Sequence, residues 1–196
     1  MPSIGFDESG EWAHSSFDHR HQFVASGVYE LPLFAHAGGV SEAVLGGWRV
    51  NGILTAQSGA PFTVNLGVDQ ANIGAGPAQR PDQLQDPNLP GSARTPDQWF
   101  NTAAFVLPAP FTFGSAPRNS VIGPGFANVD LAIAKTWALA GTSQVEFRWE
   151  IFNLLNRANF DIPNRTFGTP NFGRIFSAKN PREMQFMRFS SSASRF

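Results

Sequence analysis

From Val129 to Asn153 the sequence reads VDLAIAKTW, then ALAGTS, then QVEFRWEIFN, and in both arms apolar residues fall at every second position. Val129, Leu131, Ile133 and Trp137 share one face of the first arm, with Lys135 breaking the row, while Asn128, Asp130, Ala132, Ala134 and Thr136 share the other. In the second arm Val145, Phe147, Trp149 and Ile151 oppose Gln144, Glu146, Arg148 and Glu150. A period of two means strand, because successive side chains leave opposite faces of a pleated backbone. Each arm has the roughly 9 to 11 residues that a tilted strand needs to cross a bilayer. A soluble sandwich strand shows the same alternation, so the hairpin by itself leaves lipid and protein core both open as the medium for its apolar face.

The layout of the chain bears on that choice. An earlier segment, 22–32, places Phe23, Ala25, Gly27, Tyr29 and Leu31 on one face and ends at Pro32, which cannot donate to a ladder. A Gly-rich connection leads to WRVNGILTAQ at 48–57, and SGAPFTVNL reads as a continuation of that strand after a break at Gly59–Pro61. From 67 to 127 the periodicity fades into Pro, Gly, Asn, Gln and Asp, with apolar islands at Trp99, Phe100, Phe105, Phe111 and Phe113 that predict a loop folded on itself. A second long, polar and aromatic stretch covers 154–181, and REMQFMRF at 182–189 is the last periodic piece. Spans near 22–32, 48–57, 128–137, 143–153 and 182–189 are thus joined by connections in the order medium, long, short, long. Loops of that length are uncommon in compact domains, whereas outer-membrane barrels have short connections on one side and long ones on the other.

Composition narrows the class. The 14 basic and 15 acidic side chains give a net charge of -1, without the basic excess that a nucleic-acid partner demands. Gly 19, Pro 15 and Phe 19 suit strands and turns better than helices, and no run of 18 apolar residues offers a membrane helix. Cys 0 removes disulfides, thiolate zinc sites and cysteine nucleophiles together. MPSIGFDESGEW has neither the basic nor the apolar region of an export signal, so an outer-membrane reading places the signal upstream in a longer parent. The fold class expected is all-β: about five long antiparallel meander strands with two long loops.

Six pieces in order, DHRHQFVASGVYELP, LGGWRVNGILTAQSGAPFTV, QWFNTAAF, FGSAPRNSVIGPGFANVDLAIAKTW, VEFRWEIFNLLNRANF and FGRIFSAKNPREMQF, resemble the C-terminal barrel strands of TonB-dependent receptor-like proteins. The likeness is to the Oar-like group that carries a carboxypeptidase-regulatory-like domain, and it runs from Asp18 to Phe186. It implies residues 1–17 as a loop remnant and 18–196 as C-terminal strands of a transmembrane β-barrel, incomplete on their own. It also implies membrane lipid, the remaining strands and plug of the parent, and an inner-membrane energy-coupling protein as partners. The ending RFSSSASRF departs from the family's alternating last strand, and Arg188 falls on the apolar parity. Five strands cannot close a barrel, since known ones start at about 8. The chain is therefore expected to be a fragment of a larger barrel or a sheet that pairs through its edges.

No catalytic, cofactor or metal residue is expected. His19 and His21 lie two apart, but a metal would need a third ligand such as Asp18 or Glu30, and the plainer reading of these residues with His14 and His36 is a polar approach to the first strand. Neither a G-x-S-x-G elbow nor an H-E-x-x-H pair occurs. Arg49, Asn51, Gln57, Glu146, Arg148 and Glu150 are the candidates for a polar lumen. Tyr29, Trp48, Trp137, Phe147, Trp149 and Ile151 are the candidates for lipid contact or an interfacial aromatic girdle. The rival from another class is a secreted all-β binding or adhesion module whose apolar face is a sandwich core; an enzyme is not expected.

Overall fold

The computed structural model describes residues 12–32, 38–74, 79–139 and 143–191. His36, residues 140–142 and residues 192–196 lie outside them. Two compact units are present, one made of the sheet strands and one of the long connections.

The sheet unit holds five antiparallel strands in the order β1 (Gln22–Glu30), β2 (Trp48–Gln57), β8 (Phe126–Ala138), β9 (Gln144–Phe152) and β11 (Glu183–Ser191). The expected open, all-β meander is what forms. The strands run 9, 10, 13, 9 and 9 residues, each enough for a tilted crossing. Register follows the alternation. Ile151 lies between Leu131 and Met184, Trp149 between Ile133 and Phe186, and Phe147 between Lys135 and Arg188. One position on, Glu150 lies between Ala132 and Gln185, and Glu146 between Thr136 and Phe189. A slip of one residue would exchange these two sets, so burial of either face fixes the pairing.

Asn153 stops β9. It takes φ 51°, its N–H donates to Asp130 Oδ1 at 2.9 Å, and its side-chain amide donates to the carbonyls of Arg157 and Asn180. Asn tolerates the left-handed region that other side chains resist. At the other end of the sheet the connection after Pro32 contains α1 (Gly39–Leu45), a two-turn helix where the Gly-rich sequence had suggested only a link.

The strand expected to resume after Gly59 does not rejoin the sheet. Gly59 passes so close to the backbone of Gly123 that a Cβ would stand 1.8 Å from its carbonyl oxygen, and the chain turns away. β3 (Pro61–Phe62) pairs instead with β7 (Val121–Ile122). In the same unit β4 (Asn65–Leu66) runs parallel to β10 (Thr166–Phe167), and β5 (Asp82–Gln83) pairs with β6 (Phe105–Val106). Around these short pairings lies a closed apolar core of Phe62, Val64, Phe100, Phe105 and Val121, with Trp99, Phe167 and Phe172 against it. Phe100 is 1% exposed and meets Phe62, Phe105 and Phe172 edge-on at centroid separations of 5.9, 6.0 and 5.1 Å, the geometry ring quadrupoles favour. The islands at Trp99, Phe100 and Phe105 thus do fold inward, while Phe111 is exposed.

Two carboxylates brace this unit. Partial desolvation pushes Asp69 up, but the Gly74 N–H, the Gln79 amide and the N–H groups of Ile73 and Asn72 outweigh it and hold the carboxyl below 3.8. Hydrogen bonds from the Lys179 ammonium and the Ser177 hydroxyl likewise hold Asp161 below 3.8. Depressed folded values mean that the stabilisation is present above the unfolded value and is lost as pH falls through the folded one.

Phe100→Ala should therefore destabilise the loop unit by about 3–5 kcal/mol, measured as a shift in the denaturant midpoint of Trp99 fluorescence. Acid titration should show the same unit loosening as pH falls through and below the ordinary carboxylate range, with Asp161→Asn losing less stability there than the native chain.

Candidate functional site

The polar face of the sheet carries a continuous row of charge. Arg49 on β2 reaches Glu146 on β9 at 3.4 Å, Arg148 bonds the other oxygen of Glu146 at 2.8 Å, and Arg148 approaches Glu150 at 3.5 Å. Thr136 Oγ1 donates to Glu146 from β8, and Gln185 Nε2 donates to Glu150 at 2.6 Å from β11. Four neighbouring strands are thereby crosslinked on one face. Of the six lumen candidates, the structure brings Arg49, Glu146, Arg148 and Glu150 together. Asn51 shares the face of Arg49, but its Oδ1 is buried without a partner among the described residues. Gln57 ends β2 and has no side-chain bond to the row. Thr136 and Gln185 complete the row; their polar parity was the available signal, and cross-strand register was needed to see it. Glu146 keeps 21% of its side-chain surface exposed and Arg148 32%, so the paired charges retain contact with solvent.

The opposite face is aromatic. Phe186 stacks on both Phe147 and Trp149, at 6.0 and 5.7 Å between centroids. Ile151 is buried, whereas Tyr29 on β1 is exposed. The indole N–H of Trp149 has no acceptor among the described residues.

At the short-turn end this face closes around a cation. Lys135, which interrupts the apolar row, is 3% exposed. Its ammonium donates to the Gly46 carbonyl just past the last turn of α1, and sits 5.6 Å from the Trp48 ring centroid and 5.4 Å from that of Trp137. Both indoles also hold the helix, Trp48 Nε1 donating to Val44 O at 3.2 Å and Trp137 Nε1 to Ala43 O at 2.7 Å. Cation–π attraction strengthens when the cation is desolvated, to about 2 kcal/mol, and the bonded carbonyl compensates the ammonium for lost water. The two girdle candidates are thus joined by a lysine and a helix that sequence reading did not connect to them.

At the approach to β1, His14 pairs with Asp18 at 3.1 Å and His19 Nδ1 donates to Ser58 O at 2.7 Å. The side chains of His14 and His19 thus each have a protein partner, and among the described residues no three His, Asp or Glu side chains gather as metal ligands. No described helix is long and apolar enough to cross a membrane.

Comparison with known families matches the chain to an outer membrane beta barrel domain over residues 2–185. No curated protein and no solved structure matches the chain. The open meander of crossing length, with one charged and one aromatic face, is what such a domain requires. The chain belongs to the outer membrane beta barrel domain family, and with it to an outer membrane.

Proposed function

We propose that these residues form wall strands and outer loops of a solute-uptake barrel of the TonB-dependent, Oar-like receptor type, with no catalytic role of their own. The row from Arg49 through Glu146, Arg148 and Glu150 to Gln185 is the observation that carries this reading. A charged, half-solvated face opposite an aromatic one suits a sheet with water on one side and lipid on the other. The edges support it too. β1 and β11 each have a neighbour on one side only, and unpaired backbone groups in hydrocarbon cost several kcal/mol each. In this reading further strands and a plug complete the wall, and energy reaches it from an inner-membrane coupling protein through other parts of the parent.

Fractionation of cells expressing the full-length parent should place it in the outer membrane as a band whose gel mobility changes on heating; a soluble, unshifted band would overturn the reading in favour of a secreted module. Glu146→Ala strips two guanidinium groups of their shared acceptor, and should lower stability in lipid vesicles by about 1–3 kcal/mol. Urea titration followed by tryptophan emission reads this change.

A further inference from the structure

Helix α1 is too short to hold its shape by itself, since isolated helices under about 12 residues are marginal in water and those of folded proteins are stabilised by burying an apolar face. Among the described residues α1 buries none of its side chains. Val40 is 80% exposed, Val44 54% and Leu45 46%. Val40 and Val44 stand one turn apart and share a face. Glu42 stands roughly opposite Val44 on the helix, and its carboxylate accepts from the Gly38 N–H at 3.1 Å. The helix thus has an apolar ridge, a polar back and nothing on the ridge.

What holds α1 comes from one side of the sheet. Trp48 Nε1 donates to Val44 O, Trp137 Nε1 to Ala43 O and the Lys135 ammonium to Gly46 O. Lys135 and Trp137 share the parity of Ile133 on β8, and Trp48 on β2 is opposite in parity to Arg49 of the charged row. All three donors therefore leave the aromatic face, which puts the helix on that side of the sheet. Gly47, at φ 69°, turns the chain directly from α1 into β2. Register gives the level. Lys135, Phe147 and Arg188 form one row, so the two cations on the aromatic face among the described residues stand at the same height, close to the short-turn end. A cation on a lipid-facing strand surface is costly at mid-bilayer and tolerated near the headgroups, the depth at which tryptophans also settle.

We propose that α1 is an interfacial anchor whose Val40, Val44 and Leu45 enter the boundary between phospholipid headgroups and acyl chains, with Lys135 as the positioning residue that ties the helix to that level. Lipid is the occupant because the ridge continues the aromatic face of a chain from an outer membrane family, and a helix with an apolar ridge and a polar back lies flat in such a boundary. The inference rests on the division of the sheet into water and lipid sides made for the uptake reading.

The sequence contains no cysteine, so single nitroxide labels can be placed at Val44→Cys, Glu42→Cys and Met184→Cys in the full chain, reconstituted in phosphatidylcholine vesicles with its β-type circular dichroism verified. Met184, exposed and level with Ile151, reports the aromatic face itself. Relaxation by oxygen, which concentrates in lipid, relative to relaxation by a water-soluble nickel chelate should be several-fold higher at 44 than at 42, and high at 184. Adding Lys135→Met should lower the ratio at 44 toward that at 42 and leave 184 unchanged. Should that variant not fold, Trp137→Phe, which removes the donor to Ala43 and keeps an aromatic ring, is read in the same way. A label at 44 as open to nickel as one at 42, with 184 in lipid, would overturn the anchor and leave the barrel wall standing. Shielding of 44 from both reagents would mean a protein cover, a second copy included, and would overturn it as well. Water at both 44 and 184 would remove the lipid face and both readings with it, and a ratio at 44 unmoved in the folded variants would overturn the role given to Lys135.

Discussion

A strand in hydrocarbon can place its N–H and C=O groups only on another strand, because no water is present to take them. Everything in the sheet unit answers to that constraint. β2, β8 and β9 are flanked on both sides; β1 and β11 are not. Side chains can then be sorted by medium, since the backbone leaves nothing for them to repair: charges with Thr136 and Gln185 on one face, stacked Phe and Trp rings on the other. Lys135, one of two cations on that face with Arg188, is a departure that the constraint also explains, because a buried ammonium there needs an acceptor and finds it at Gly46 between two indoles.

The two units draw their stability from different sources. Lipid tails are as apolar as leucine, so burying a side chain against them gains little over burying it against protein, and the sheet is held chiefly by ladder pairing and by cross-strand polar and aromatic contacts. The loop unit is held by water's exclusion from Phe62, Phe100, Phe105 and Val121. Its strands are two residues long, too short to be stable as isolated pairs, and the aromatic core is what fixes them.

The long strands were legible because a period of two is local: Val145 to Ile151 announce their face without reference to any other part of the chain. The inward turn of Phe100 and Phe105 was legible as an apolar island in polar surroundings. α1 was not, since its seven residues begin on a glycine, follow another and hold no buried side chain. The departure at Gly59 was hidden because its cause is the backbone of Gly123, far along the sequence. The charged row was half legible: the parity of Glu146, Arg148 and Glu150 is local, but Arg49 and Gln185 join only through register.

The aromatic core has a mechanical side. Phe62, Phe100 and Phe105 come from the connection before the β8–β9 hairpin, and Phe172 from the connection after it. Exposed Phe111, at φ 65°, marks a bend where a protease could reach the backbone. A cut there would break the chain and release neither piece, because both stumps stay clamped in the same cluster of rings. Such a nick would leave the unit whole, held by ring packing in place of chain continuity.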